Sequence, residues 1–382
     1  MAERMSGAPI RAYPPIVVLL GGPSAEHDVS IVSGTAIADA LDATRLDVRQ
    51  VLIDLAGGWW WLPAGHHRDS RPQSAYDDPA ALGADGPHAV GAALDRLATS
   101  PTAPVVFIAL HGPFGEDGTV QALLEAVGLA YTGAGVEASA LGMDKVAQKR
   151  IWRGLGLPVV DWIEVRAATW VADRSLVLGQ LEAFATGSSA ADPRLMIKPA
   201  RLGSSVGMTL AHAAGERPDA LDLAFRYDDL AIVERYLVNA RDLEISVIGN
   251  EAPLGVYGPG EIVAGHEFYD YAAKYVPGLS ETSTRAEVPD ATREVMRKLA
   301  RDAYRSLATE GFARVDFLVQ GEAIYVSEIN TIPGFTPISL FPTMPAEAGL
   351  DFTAVCLRIL DLALERHARR ARRRLSPADL PR

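Results

Sequence analysis

The chain has 382 residues, 48% of them apolar, enough to bury a sizeable core and to divide into two or three domains. Its 48 Asp and Glu against 36 Lys and Arg give a net charge of −12, which argues against nucleic acid as the principal partner and requires any anionic substrate to meet locally placed cations. No apolar run reaches membrane-spanning length, no signal-like apolar core precedes Pro15, and Cys356 is the sole cysteine, so a protein of the reducing cytoplasm with no membrane partner is expected.

Residues 1–15 read as an N-terminal extension. Over residues 16–144, the apolar runs Ile16–Leu20 and Val105–Leu110 each end in a glycine-bearing loop, with helix-like segments between them, the pattern of parallel strands and crossovers in a small α/β domain. The loop Gly21-Gly22-Pro23-Ser24-Ala25-Glu26 falls where open α/β sheets place ligands. Glu26 either complements a helix N-terminus, the commoner role, or binds an ammonium group. The loop starting at His111 ends the second run, and His111 reads as a hydrogen-bonded structural residue or as a general base. The polar segment Gly65–Gly91 is expected to be a surface insertion without assigned chemistry.

Residues 145–235 open on a helix with Ala147, Ile151, Trp152 and Leu155 at helical spacing, stopped by Gly156 and Pro158. Strand-like Leu195–Pro199 and Leu230–Val233 follow. Lys198 stands at a strand end before a small-residue loop, where Gly203 and Gly207 let backbone N–H groups approach an anion and Ser204 and Ser205 add hydroxyls. This is either a lid over polyphosphate or a plain hairpin turn. It is not a Walker A loop, because the lysine precedes the glycines.

Residues 236–366 hold a helix over Ala291–Leu307, with Val295, Met296, Leu299, Ala300, Ala303, Tyr304 and Leu307 on one stripe, then the segment Gly311–Gly334. Alternation puts Arg314 and Asp316 on one strand face and Val315, Phe317 and Val319 on the other. A hairpin at Gln320-Gly321-Glu322 would bring Asp316, Glu328 and Asn330 to one end of the pair. Hard oxygen ligands suit Mg²⁺, which completes its shell with water and phosphate and so points to a nucleotide. The alternative is an ordinary Arg314–Glu328 ion pair on a solvated face. Residues 367–382 form a basic tail, read as a solvated terminus.

Taken in order, GGPSAEHDVS, LHGPFGEDGTVQ, MDK, KPARLGSSVGM, VERYL, FYDYAAKY, ARVDF and EINTIPGFTPIS resemble the D-alanine–D-alanine ligases of the ATP-grasp superfamily, over about Ile16 to Arg366. The resemblance implies a mixed α/β ATP-grasp fold, in which an N-terminal α/β domain, a central domain and a C-terminal domain clamp ATP. It implies ligation of two D-alanines through an acyl phosphate, for peptidoglycan precursors, by a homodimer. Lys145 and Lys198 would hold the phosphates, with Ser205 and its loop closing over them and Lys274 joining the ATP set. Glu234, Tyr236 and Leu237 match the adenine contacts. Asp242 matches the ribose carboxylate, where the family usually has glutamate.

Asp316, Glu328 and Asn330 match the ligands of two Mg²⁺ ions, positions that Mn²⁺ could also take. Glu26, supported by Ser204 and Tyr275, matches the residue that binds the first D-alanine's ammonium, and His111 lies near its carboxylate. Arg314 and the Gly334 N–H resemble the oxyanion-stabilising pair, and Ser339 with Leu340 matches the seat of the second carboxylate. Retention of Tyr275 in Ala273-Lys274-Tyr275 favours D-alanine as acceptor over D-serine or D-lactate. The alternative is a related ATP-grasp carboxylate–amine ligase with another acid or acceptor.

Overall fold

A computed structural model of the chain describes residues 12–69, 71–187, 192–264 and 280–373, organised around three sheets. The first contains β1 (Ile16–Gly21), β2 (Val48–Ile53), β3 (Trp59–Trp61), β4 (Asp85–His88), β5 (Val105–Ile108) and β6 (Ala130–Tyr131), in the order β4-β3-β2-β1-β5-β6. β1 runs parallel to β2 and β5, and β5 parallel to β6. Every residue of β1 is buried, and a strand covered on both faces reads as an unbroken apolar run. One face packs Ile16, Val18 and Phe107 against Ile37 and Leu41 of α1 (His27–Asp42). The other packs Val17, Leu19 and Ile108 against Leu94 of α2 (Val90–Ala98) and Leu124 of α3 (Thr119–Ala126).

The segment Gly65–Gly91 is more than a surface insertion. It supplies β4, which extends the sheet antiparallel to β3, and it buries Tyr76, whose hydroxyl lies 3.0 Å from a ring nitrogen of the buried His66. A short edge strand with Gly86 and Pro87 carries little apolar alternation, which is why its sequence reads as loop.

After α4 (Val136–Met143), Asp144 caps α5 (Lys145–Gly154) by accepting from Ala147 N at 2.9 Å. The buried face of α5 carries Val146, Gln148, Lys149 and Trp152, whereas Leu155 lies past the helix end and is exposed. The second sheet has the order β7 (Trp162–Arg166), β10 (Leu230–Arg235), β8 (Leu195–Pro199), β9 (Thr209–Ala211), all antiparallel. Its core joins Ile197 and Val233 to Trp170 of α6 (Ala167–Ala172), Leu181 of α7 (Arg174–Thr186) and Leu221 of α8 (Arg217–Ala224).

The third sheet is antiparallel too, in the order β13 (Ser280–Ser283), β12 (Gly255–Ala264), β11 (Arg241–Ile248), β14 (Phe312–Gln320), β15 (Ala323–Asn330). Val315, Phe317 and Val319 point into its core against Met296, Ala300 and Tyr304 of α9 (Asp290–Ser306), as the alternation predicts. Val295 falls off that stripe and is exposed. The short helix α10 (Leu340–Thr343) precedes α11 (Phe352–Ala371), whose Val355, Cys356 and Ile359 return to the first sheet's core beside Phe312 and Phe335. Arg366 of α11 is buried and donates to the carbonyls of Tyr131, at 2.8 Å, and Gly133. The first and third sheets are thereby fixed to one another.

Candidate active site

β14 and β15 are joined by Gly321-Glu322, and their register sets Asp316 opposite Glu328 and Arg314 opposite Asn330. The expected convergence is therefore real, but the arginine's partners differ from the simple Arg314–Glu328 pair. Nε and an NH2 of Arg314 donate to both oxygens of Asp316 at 2.7 Å each, and Nε lies 3.2 Å from Glu244 of β11. Burial alone would lower its pKa, yet Asp316 and Glu244 hold it well above the ordinary arginine range. Asn330 donates its amide to Asp316 at 2.8 Å, leaving its carbonyl oxygen as an acceptor.

Two carboxylates and an amide oxygen suit a hard divalent ion that keeps positions for water and phosphate. Among the described residues no three His, Cys, Asp or Glu side chains gather as a metal site.

The cations come from α5 and β8. Lys145 donates to the Leu202 carbonyl at 2.8 Å and lies 3.1 Å from Glu328, while Gln148 accepts from Ile329 N at 3.0 Å, so α5 ties the second sheet to β15. Lys198 lies 2.6 Å from Glu234, whose other oxygen is 2.6 Å from Lys149. Burial would raise the Glu234 pKa, but the two lysines pull it down to about 2. The same carboxylate, against the opposing effect of burial, holds Lys198 above its usual range. Asp242 lies near the start of β11 and adds to the field that keeps Lys198 charged.

The loop after β8 turns through left-handed Ser204 and Ser205, at φ 51 and 57, and Gly207 at φ 71. Two consecutive non-glycine residues in that region cost on the order of 1–2 kcal/mol each, a strain characteristic of functional loops. The Ser204 hydroxyl donates to Glu26, the residue preceding α1, whose side chain makes no capping bond to the helix. Gly112, at φ 76, allows the third loop to close in: a Cβ there would come within 2.7 Å of a Glu26 oxygen.

His111, the next residue back, is buried with both nitrogens engaged: Nε2 with Ser33 Oγ at 2.9 Å, and Nδ1 with the Ile332 carbonyl at 3.0 Å and Glu116 at 3.5 Å. Burial drives Glu116 up to about 6 despite the imidazole, while burial of His111 is overcome by Glu116 and Glu26, which hold it above its usual value.

Gly334 and Ser339 stand together: a Cβ on Gly334 would lie 3.3 Å from Ser339 Oγ, which accepts from Thr336 N at 3.1 Å. Leu340 begins α10 and is buried against Ile262 and Met344. Tyr236 and Leu237 follow β10 directly, next to Glu234. Lys274 and Tyr275 lie outside the described residues. Sequence reasoning missed Lys149, Glu244 and Glu116. Lys149 stands four residues after Lys145 on one helix face, and Glu244 alternates with Asp242 on one strand face, so period alone could have flagged both.

An α/β unit followed by two antiparallel sheets, with lysines on one and oxygen ligands on the other, is the architecture of an ATP-grasp ligase. The chain is similar to the solved structures of the D-alanine–D-alanine ligase from Coxiella burnetii (TM-score 0.73, 30% identity, 94% of this chain and 96% of that one) and of a D-Ala:D-Ser ligase from Enterococcus faecalis (TM-score 0.74, 28% identity, 92% and 99%). Family models described as D-ala D-ala ligase N-terminus and C-terminus match residues 15–134 and 151–361. The D-alanine–D-alanine ligase of Chloroherpeton thalassium is 38% identical over 374 residues, 94% of this chain and 99% of the relative. The chain belongs to the D-alanine–D-alanine ligase family.

Proposed function

We propose that this chain joins two D-alanines to D-alanyl-D-alanine at the expense of ATP, through an acyl phosphate. The observation that carries the reading is the Ser204–Glu26 hydrogen bond, which unites the loop following Lys198 with the carboxylate that would hold the first ammonium. The carboxylate of the D-alanine whose ammonium Glu26 would hold is then presented to the γ-phosphate. Its oxygen attacks phosphorus, ADP departs, and an acyl phosphate forms.

Lys145 and Lys198 would meet the phosphates, with Ser205 over them, and Glu234, Tyr236, Leu237 and Asp242 would face the nucleoside. An ionised Glu234 suits the donor amine of adenine. Asp316, Glu328 and Asn330 would hold Mg²⁺, or Mn²⁺, which when bound neutralises phosphate charge. The second amine then attacks the carbonyl carbon, the proton is lost, and phosphate leaves. Arg314 and the Gly334 N–H stabilise the developing oxyanion, each worth roughly 3 kcal/mol. Ser339 and Leu340 would seat the acceptor carboxylate, and Lys274 and Tyr275 would complete the nucleotide and amino-acid sides.

The product would feed peptidoglycan precursors in the cytoplasm, where ATP is available. We further propose the three-unit division at residues 145 and 236 and a homodimer, which light scattering on the full chain tests. The decisive experiment incubates the chain with ATP, Mg²⁺ and D-alanine, alone and with D-serine or D-lactate, and identifies products by mass spectrometry. D-alanyl-D-alanine with stoichiometric ADP is expected. No dipeptide from D-alanine alone, or a mixed product dominating when the second acid is present, refutes the assignment.

A further inference from the structure

We propose that Lys149 is a positioning residue for nucleotide binding, a resident counter-ion on Glu234 that lets Lys198 leave that carboxylate for the triphosphate. The inference rests on the ATP reading above and deepens it.

Lys149 sits on the buried face of α5 and is only 1% exposed. Its Nζ lies 2.6 Å from Glu234 Oε1, and Lys198 Nζ lies 2.6 Å from Oε2 of the same carboxylate. The strand register explains the meeting. Lys198 of β8 is paired with Ile232 of β10, so Glu234 is two residues further along the neighbouring strand and on the same face.

One carboxylate needs one cation. A second buried ammonium is costly to desolvate and contributes little to neutrality, so a pair of lysines on Glu234 calls for a reason. Exchange supplies one. If Lys198 swings from Glu234 to a phosphate oxygen, a carboxylate with no other partner would be left buried and charged, a penalty that opposes the swing. With Lys149 already in place Glu234 stays paired, and Lys198 can exchange one anion for another. Lys149, 1% exposed and already paired with Glu234, need touch no substrate for this role.

Removing Lys149 therefore makes Lys198 the sole counter-ion of Glu234 and shifts the empty protein towards the form in which that lysine is withheld. A competent fraction of about one-tenth weakens apparent affinity by about tenfold. The test is calorimetric titration of MgADP and of MgATP without D-alanine into the full chain and its variants, alongside kcat and the ATP KM.

K149M is expected to bind nucleotide about tenfold more weakly, with kcat at saturating ATP within about threefold of the parent. K149R, which keeps the charge, is expected to bind within about threefold of the parent. K149M/E234Q removes the carboxylate that retains Lys198; titrated with magnesium tripolyphosphate, which lacks the adenine that Glu234 would face, it should regain most of the affinity for that ligand that K149M loses, an outcome that simple damage to the fold would not give. Should K149M alone prove insoluble, the double variant still decides: tripolyphosphate binding within about threefold of the parent supports the exchange, and a loss beyond about tenfold overturns it. Unchanged affinity in K149M, with the parent binding normally, also overturns the inference while leaving the ATP reading intact. Failure of the parent to bind nucleotide overturns that reading itself.

Discussion

Arg314→Ala separates the electrostatic role of this side chain from its role in holding the site together. The guanidinium satisfies both oxygens of Asp316 at 2.7 Å and reaches Glu244 at 3.2 Å, with the Glu244 side chain only 6% exposed. Glu244 and Asp316 are direct register partners on β11 and β14, so alanine removes the guanidinium that pairs with two neighbouring carboxylates. Breaking a buried pair of this kind costs about 3–5 kcal/mol of stability. Separately, loss of one oxyanion donor costs roughly 3 kcal/mol in the chemical step, or about a hundredfold in kcat.

Adding Glu244→Gln to the alanine variant is expected to recover part of the stability and none of the rate. Arg314→Lys keeps a charge without the fork and is expected to recover stability ahead of kcat. Because Arg314 competes for Asp316, the alanine variant is also expected to half-saturate at a lower Mg²⁺ concentration. The assay pairs thermal melting and nucleotide calorimetry with dipeptide quantification at saturating ATP and D-alanine. A kcat within threefold of the parent would refute the oxyanion role, as would a nucleotide affinity that falls in step with kcat.

Three other perturbations probe the remaining parts. Ser204→Ala removes the hydroxyl donor to Glu26, and loss of one hydrogen bond to a charged group, about 1.5 kcal/mol, is expected to raise the D-alanine KM about tenfold; an unmoved KM would count against that bridge. Glu328→Gln removes the formal charge paired with Lys145 at 3.1 Å and is expected to raise the half-saturating Mg²⁺ concentration severalfold, so an unaltered titration would remove Glu328 from the metal set. Glu234 titrates at about 2 in the fold against 4.5 for the free side chain. Its contribution is thus complete above 4.5 and is lost as the pH falls towards 2, about 3 kcal/mol in all. The K149M/E234Q chain is expected to show a shallower acid-side stability slope over that window, by up to one proton, and identical slopes would contradict the buried ion cluster.

Much of this arrangement was legible in the sequence because it obeys simple periods. The two-residue alternation from Arg314 to Val319 puts Arg314 and Asp316 on one face and core on the other, and the apolar run at Ile16 reads as a strand of a parallel sheet. What escaped was long-range pairing. No local pattern tells that Arg314 takes Asp316 and Glu244 in preference to Glu328, since that choice depends on which strand lies beside β14. Arg366 illustrates the same limit: nothing in its local sequence tells that it is buried against carbonyls more than 230 positions earlier. The Gly65–Gly91 segment was misjudged because composition decided it, and an edge strand can be polar and still complete a sheet.

The charges of the site are organised for exchange. Among the described residues, each cation assigned to phosphate or oxyanion already has a carboxylate partner: Lys145 has Glu328, Lys198 has Glu234, and Arg314 has Asp316 and Glu244. In a chain of net charge −12 this keeps the basic groups from being left unpaired in a partly buried cleft, and it sets the terms on which a nucleotide enters. Phosphate alone would draw Lys145 away from Glu328 and Lys198 away from Glu234. A divalent ion alone would compete for Glu328 and Asp316 with Lys145 and Arg314. Only the metal–nucleotide complex brings both signs together, phosphate for the lysines and metal for the carboxylates, so that each broken pair is replaced. On the ATP reading, the preference for the metal complex over either component is therefore a property of the paired network as a whole.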